Sequence, residues 1–145
     1  MKIPKIILLS LIFACVGITT EVIFTSLSTF TQSLLEMSPI NWSLSGKTYT
    51  WMFFLYASIP FFFKIFYPLV EKYSILGKAI ITVIGIYIIE FFSAAFLQLV
   101  LGKCPWKYTE GIHVFGFIRL DYFPFWFVFA LLIIYVYQIL DKRLT

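Results

Sequence analysis

Two glutamates stand alone inside long apolar runs, Glu21 in IILLSLIFACVGITTEVIFTSLSTF and Glu90 in KAIITVIGIYIIEFFSAAFLQLVL. Inserting a carboxylate at the centre of a membrane helix costs on the order of 3 kcal/mol, so such a residue usually has a task. The tasks open to it are a proton relay, a cation ligand or acid–base chemistry. The plain alternative is a carboxyl that hydrogen-bonds a neighbouring helix and helps assembly.

A second concentration of polar groups lies in Gly102–Trp126, GKCPWKYTEGIHVFGFIRLDYFPFW, which holds the only His, one of two Cys and two of four Trp. Arg119 and Asp121 bracket the start of the last apolar run. Either they pair with each other, or Asp121 caps the helix start, where a carboxylate suits the positive end of the dipole; capping is the leading expectation. A sharper possibility is Arg119 reaching Glu21 or Glu90. Trp106 and Tyr108 complete the candidate polar site. His113 and Cys104 make neither a catalytic dyad nor a zinc site, which needs about four ligands at recognisable spacing. No nucleophile elbow, phosphate-binding glycine loop or haem motif occurs, so no metal and no cofactor are expected. The stretch 112–120, IHVFGFIRL, is apolar around Gly116 and suits a segment that dips into a membrane and returns, tolerated only when buried in protein or lining a cavity.

The elements that position these residues follow from composition. Of 145 residues, 61% are hydrophobic, 21% aromatic and 12% charged, whereas a soluble domain carries about 25% charged residues. A span needs roughly 20 apolar residues. We expect an all-α integral membrane protein with four transmembrane helices at about 6–30, 49–69, 78–101 and 121–140, forming a single domain, with a polar-aromatic loop at 102–120. Lys2 and Lys5 before IILLSLIFACVG resemble a signal peptide, but the apolar run continues to about Leu27, so we expect a retained helix. In the first span Ser10, Ala14, Gly17, Glu21, Thr25 and Ser28 share a narrow face, and small residues there let another backbone approach. Glu21 should therefore point at protein. In the third, Ala79, Thr82, Ile86, Glu90, Ser93 and Leu97 share a face.

Residues 31–48 read as a polar loop with Pro39, Asn41 and Gly46 as turn formers; Trp42 suits the headgroup level, and Asn41-Trp42-Ser43 fits the glycosylation pattern. Pro60 should kink the second span, and Lys64 can snorkel to the interface. The loop Val70–Gly77 is short. Tyr122, Trp126, Tyr135 and Tyr137 suit the two interfaces of the last span. Cys15 and Cys104 are not expected to bridge.

Four spans put both termini on one side. Lys2, Lys5, Lys64, Lys72, Lys78, Lys142 and Arg143 then face Lys47, Lys103, Lys107 and Arg119 across the membrane. The positive-inside rule favours cytoplasmic termini, in a plasma or inner membrane. The net charge of +4 is scattered rather than blocked, which suits anionic headgroups and not nucleic acid. Glu21, Trp42 and Pro60 have counterparts in Glu90, Trp106 and Pro124, as two repeated hairpins in parallel would.

Several pieces carry a family resemblance. They are Glu21-Val22-Ile23-Phe24-Thr25, Trp51 with Tyr56, Glu90-Phe91, Cys104-Pro105-Trp106-Lys107-Tyr108-Thr109, and Gly116-Phe117-Ile118-Arg119-Leu120-Asp121-Tyr122. In that order, across about residues 17–130, the chain resembles the vertebrate transmembrane protein 229 family and the bacterial type IV ABC-transporter permeases of the CmpB type. The resemblance implies a multi-pass membrane protein, with any ATPase on a separate subunit. Lys107 stands where the family has Asp, Arg119 where it tends to be uncharged, and Asp121 where it tends to have Glu.

Together these features point to Glu21, Glu90 and the Trp106–Asp121 loop converging on one outward-facing polar site. Three classes fit: a small transport or channel-like module whose carboxylates handle a proton or cation, a membrane enzyme acting on a lipid-type substrate at the outer interface, or an assembly subunit whose polar groups glue helices. The first leads, which leans away from an enzyme. Its partners would be the bilayer and a second copy or a membrane subunit.

Overall fold

A computed structural model of the chain describes residues 4–39, 42–43 and 45–144. Lys2 of the charge comparison and Asn41, with its turn and glycosylation pattern, lie outside these. The elements are α1 (Lys5–Leu35), α2 (Thr50–Val70), α3 (Ile75–Leu101), β1 (His113–Val114), β2 (Ile118–Arg119), a 3-10 turn (Leu120–Tyr122) and α4 (Phe123–Arg143). Four helices are long and apolar enough to cross a membrane. The chain forms two compact units, Met1–Lys64 and Ile65–Thr145, with the boundary inside α2.

In the first unit, α1 runs five residues past the expected end at residue 30. The stretch TQSLL extends the helix because its hydroxyls turn back on the helix itself. Thr29, Thr31 and Ser33 each donate to the carbonyl four residues earlier, at 2.8–3.1 Å. The helix closes at Glu36: Met37 adopts φ 50°, its N–H donates to Leu34 O, and the Ser38 N–H donates to Ser33 O at 3.0 Å. That is the Schellman pattern, followed by Pro39, which cannot continue a helix. The small face of α1 does what its residue types imply. Ala14 and Gly17 are buried, and a Cβ on Gly17 would overlap the ring of Tyr56. Phe13 meets Phe63 edge-on one turn earlier. Pro60 lies buried inside the continuous helix α2.

In the second unit, α3 begins at Ile75, not Lys78, because Ser74 caps it by accepting the Gly77 N–H at 3.2 Å. Its buried residues Ala79, Val83, Glu90, Ala94 and Leu97 recur at helical spacing, and α4 packs on this side with Ala130, Ile133 and Ile134 buried. Alanines on both helices let the backbones come close. The other side of α3 exposes Ile80, Ile84, Ile88, Phe92, Phe96 and Leu99. At the base of the unit the Tyr67 hydroxyl accepts from Gln138 Nε2 at 2.6 Å, and its ring lies 5.4 Å from Tyr137.

The core of the 102–120 segment is an antiparallel pair with His113 opposite Arg119 and Val114 opposite Ile118. The all-α expectation therefore gains a short hairpin, and His113 belongs to a strand. The turn has positive φ at Phe115 (54°) and Gly116 (74°), closed by Phe117 N–H to Val114 O at 2.9 Å. Positive φ at both central residues is the type I′ arrangement whose twist matches a hairpin. Gly116 is required twice over, since a Cβ there would sit 2.9 Å from the Tyr108 carbonyl. The landmarks of the two halves have different surroundings: Trp42 is exposed and Trp106 buried, while Pro60 is inside a helix and Pro124 in the first turn of one.

Replacing Gly17 with Val should force the Tyr56 ring off α1 and cost about 1–3 kcal/mol, the usual range for overpacking. Thermal unfolding in detergent tests this. An unchanged melting temperature would mean that the Gly17–Tyr56 contact does not hold α1 to α2.

Candidate functional site

Glu21 sits one turn beyond Gly17 on the same face, so the ring that rests on Gly17 brings its hydroxyl to the carboxylate. Tyr56 Oη donates to Glu21 Oε2 at 3.1 Å. The Thr48 hydroxyl donates to the same oxygen at 2.9 Å. Thr48 is held there by its neighbour: the Lys47 N–H donates to Thr25 Oγ1 at 2.8 Å, which pins the end of the 36–49 connection onto α1. Thr25 is one turn from Glu21, so one helical face supplies the packing glycine, the carboxylate and the clamp. The expectation that Glu21 faces protein is met by these two hydroxyls.

Glu90 is 5% exposed, and its Oε1 accepts from Tyr108 Oη at 3.1 Å. Tyr108 lies in the loop after α3, and three anchors fix that loop. Gln98 closes the end of α3: its amide donates to Gly102 O at 2.9 Å, while its carbonyl accepts the Cys104 N–H at 2.8 Å. The buried Trp106 donates from Nε1 to Phe117 O at 3.3 Å. The Tyr108 N–H donates to Gly116 O at 2.9 Å. Phe91, next to Glu90, holds the rings of Phe115 and Phe117 at 6.2 and 5.6 Å.

Arg119 and Asp121 form an ion pair. Nε lies 3.0 Å from both carboxylate oxygens and Nη2 lies 2.9 Å from Oδ2. Arg119 also donates from Nη1 to Tyr122 Oη at 3.0 Å, with its guanidinium carbon 4.3 Å from the Tyr122 ring centre. Arg119 is thus committed to Asp121 and Tyr122 and does not bridge to Glu90. The capping expectation for Asp121 is corrected: the residue preceding α4 is Tyr122, with no side-chain cap, and the Asp121 carboxylate serves Arg119. The fork of a guanidinium matches both carboxylate oxygens, which one helix N–H cannot. The Asp121 contact strengthens the hold of Arg119 on its proton. Tyr122 packs edge-on against Tyr108 at 6.0 Å, and Tyr87 Oη reaches the carbonyls of Arg119 and Leu120 at 3.4 and 3.3 Å.

The second unit therefore gathers Glu90, Trp106, Tyr108, Arg119 and Asp121, five of the six residues singled out by sequence. The sixth, Glu21, has its own partners in the first unit. The residues that sequence reasoning missed are Thr48, Tyr56, Tyr87 and Tyr122. Tyr56 and Tyr122 had one usable signal, their place among the resemblance residues. Among the described residues no group of three or more His, Cys, Asp or Glu could hold a metal. Both cysteines are free thiols, Cys15 exposed and Cys104 buried. Burial pushes the Cys104 thiol up, the Trp106 backbone N–H opposes it, and the Glu90 carboxylate adds to the rise. No family model matches the chain, and no solved structure is similar to it.

Two outcomes check this geometry. Tyr108→Phe should shift the infrared carboxyl band that Glu90→Gln abolishes, at a stability cost of about 1 kcal/mol for one hydrogen bond; an unmoved band would remove the Tyr108–Glu90 contact. The Cys104 thiol, raised by burial, has less thiolate at any given pH than a free thiol. Its alkylation in the folded Cys15→Ala protein should set in at higher pH than after denaturation, and coincident profiles would contradict its burial.

Proposed function

We propose that the protein is a small multi-pass membrane transport or channel-like module in which Glu21 and Glu90 handle a proton or a small cation. The observation that carries this is the same in each unit: the one glutamate inside a membrane-length helix accepts a tyrosine hydroxyl at 3.1 Å. A phenol hydroxyl both gives and takes a hydrogen bond. A carboxyl–phenol pair can therefore pass a proton along without moving the backbone. Donors aimed at the carboxylates favour a proton over a metal-like ligand cage, which would turn oxygen lone pairs inward. Intramembrane acids commonly mark proton relays in pumps and transporters.

The rest follows the sequence. The bias of Lys and Arg supports cytoplasmic termini in a plasma or inner membrane. The resemblance to the transmembrane protein 229 and CmpB-type permease families supports a role beside a second copy or a membrane subunit. The polar site would then open outward. The same carboxyl–tyrosine pairs would also serve an assembly subunit, so the two readings need one experiment that separates them.

Purified protein in liposomes, loaded with a pH-sensitive dye and driven by a potassium diffusion potential, measures the flux. Glu21→Gln with Glu90→Gln should reduce proton entry to the level of protein-free liposomes while the protein stays folded. Unchanged flux in that double variant would remove the transport role. If only the melting temperature or retention of a partner falls, the glutamates are helix glue.

A further inference from the structure

The exposed stripe of α3 fixes the depth of everything packed on its other side. Ile80, Ile84, Ile88, Phe92, Phe96 and Leu99 lie along one face, and the last three are 67%, 62% and 84% exposed. At 1.5 Å per residue the stripe is about 28 Å long, close to the roughly 30 Å hydrocarbon thickness of a bilayer. A face this apolar and this long belongs in lipid along its whole length. Glu90 falls at its midpoint, eleven residues before Leu101, or about 16 Å from that end of the helix.

The loop after α3 does not stay at that end. Cys104 is bonded to Gln98, Tyr108 to Glu90, the rings of Phe115 and Phe117 to that of Phe91, and the carbonyls of Arg119 and Leu120 to Tyr87. From Tyr108 onward the loop thus meets α3 well below the level of Gln98, between Tyr87 and Phe91, and the hairpin lies level with the middle of the stripe. Non-helical backbone at that depth is tolerated only when it is buried in protein or lines a water-filled cavity. Protein burial covers only part of this loop: Cys104, Trp106 and Ile118 are buried, whereas Ile112 and Phe115 are exposed. Lys107, Glu110 and His113 are exposed, and the Arg119 and Asp121 side chains keep 23% and 32% of their surface. Lys107 lies against Gly116 and the Arg119 guanidinium against Gly111, so these charges share the hairpin's depth. An ion pair left exposed there is unfavourable in hydrocarbon and ordinary in water.

We propose that the face of the 102–120 loop carrying Lys107, Glu110, His113 and the Arg119–Asp121 pair lines a water-filled vestibule. The vestibule descends from the Leu101 end of α3 to the level of Glu90, and water-borne protons or small cations reach the Tyr108–Glu90 pair through it. The delivery step rests on the transport reading of Glu90; the vestibule rests on depth and exposure alone.

Spin labels test it in the full chain in liposomes. In a Cys15→Ala/Cys104→Ala background, single cysteines replace His113 in the hairpin and Phe92 at the same depth on the stripe. Collision with water-soluble nickel chelate relative to oxygen should be several-fold higher at position 113 than at 92. If both labels meet the nickel chelate, the upper half of α3 stands outside the bilayer. If both meet only oxygen, the loop is dry, covered by lipid, a second copy or another subunit. Either result overturns the vestibule. Hydroxyl-radical footprinting of the unaltered chain in nanodiscs gives the same comparison without substitutions: His113 should be oxidised and Phe92 and Phe96 protected, and protection of His113 would overturn the proposal. None of these readouts needs flux, so an inert protein with a wet His113 would refute transport and leave the vestibule standing.

Discussion

A carboxyl group on a helix surrounded by hydrocarbon has no water to receive, so its oxygens must find donors within the protein. Much of the local geometry around Glu21 and Glu90 serves that need. Helix backbones spend their own N–H groups internally, and aliphatic side chains offer nothing. Donors must therefore come from hydroxyls on a neighbouring helix or from a connection that folds back, and both routes need a surface that lets the donor approach. Gly17 provides it for Tyr56, by lacking the Cβ that would occupy the ring's position. Gly116 provides it for Tyr108, by letting the hairpin turn lie against the Tyr108 backbone.

The two units meet the need with different parts. Around Glu21 one donor comes from α2 and the other from the end of a connection, held by the Lys47 N–H on Thr25. Around Glu90 a donor comes from the connection, and that connection is held by several anchors. Gln98 turns the chain at Gly102, Trp106 ties it to Phe117, and the hairpin wedges Phe115 and Phe117 on Phe91. A loop that carries a donor to mid-helix must satisfy its own backbone on the way, and the hairpin ladder and Gln98 do so. Pairing with Asp121 neutralises the charge that Arg119 would otherwise bring with it.

The four apolar runs and the face of α1 could be read from sequence because they depend on composition and on a 3.6-residue period, both local properties. Boundaries were misread where polar residues serve the helix instead of ending it. Thr31 and Ser33 look like loop residues, yet their hydroxyls return to their own helix, and Ser74 starts α3 three residues early by capping it. Glu21 and Glu90 were legible because their cost in an apolar run is independent of context. The partners of Glu21 were not, because Thr48 lies 27 residues from it and Tyr56 lies 35, and no period links such positions. Arg119 and Asp121 were correctly paired as one option, but the weight given to capping overlooked that two residues of separation on an extended-to-helical turn lets a guanidinium grip both oxygens.

α3 thus has two sides of opposite character over the same length. One offers isoleucine and phenylalanine to an apolar surround. The other, from its middle to its C-terminal end, carries Tyr87, Glu90 and Gln98, each bonded to a loop that brings lysine, histidine and an ion pair with it. Were the loop only a cover for α3, apolar side chains would serve it better, since burying an ion pair is often no more stabilising than hydrophobic packing of the same volume. Polar groups kept at that depth, against their desolvation cost, make sense where water reaches them. With the proposed vestibule, α3 would meet lipid on one side and, from its Leu101 end to Glu90, water on part of the other, with its single carboxyl at the inner end of the wet stretch.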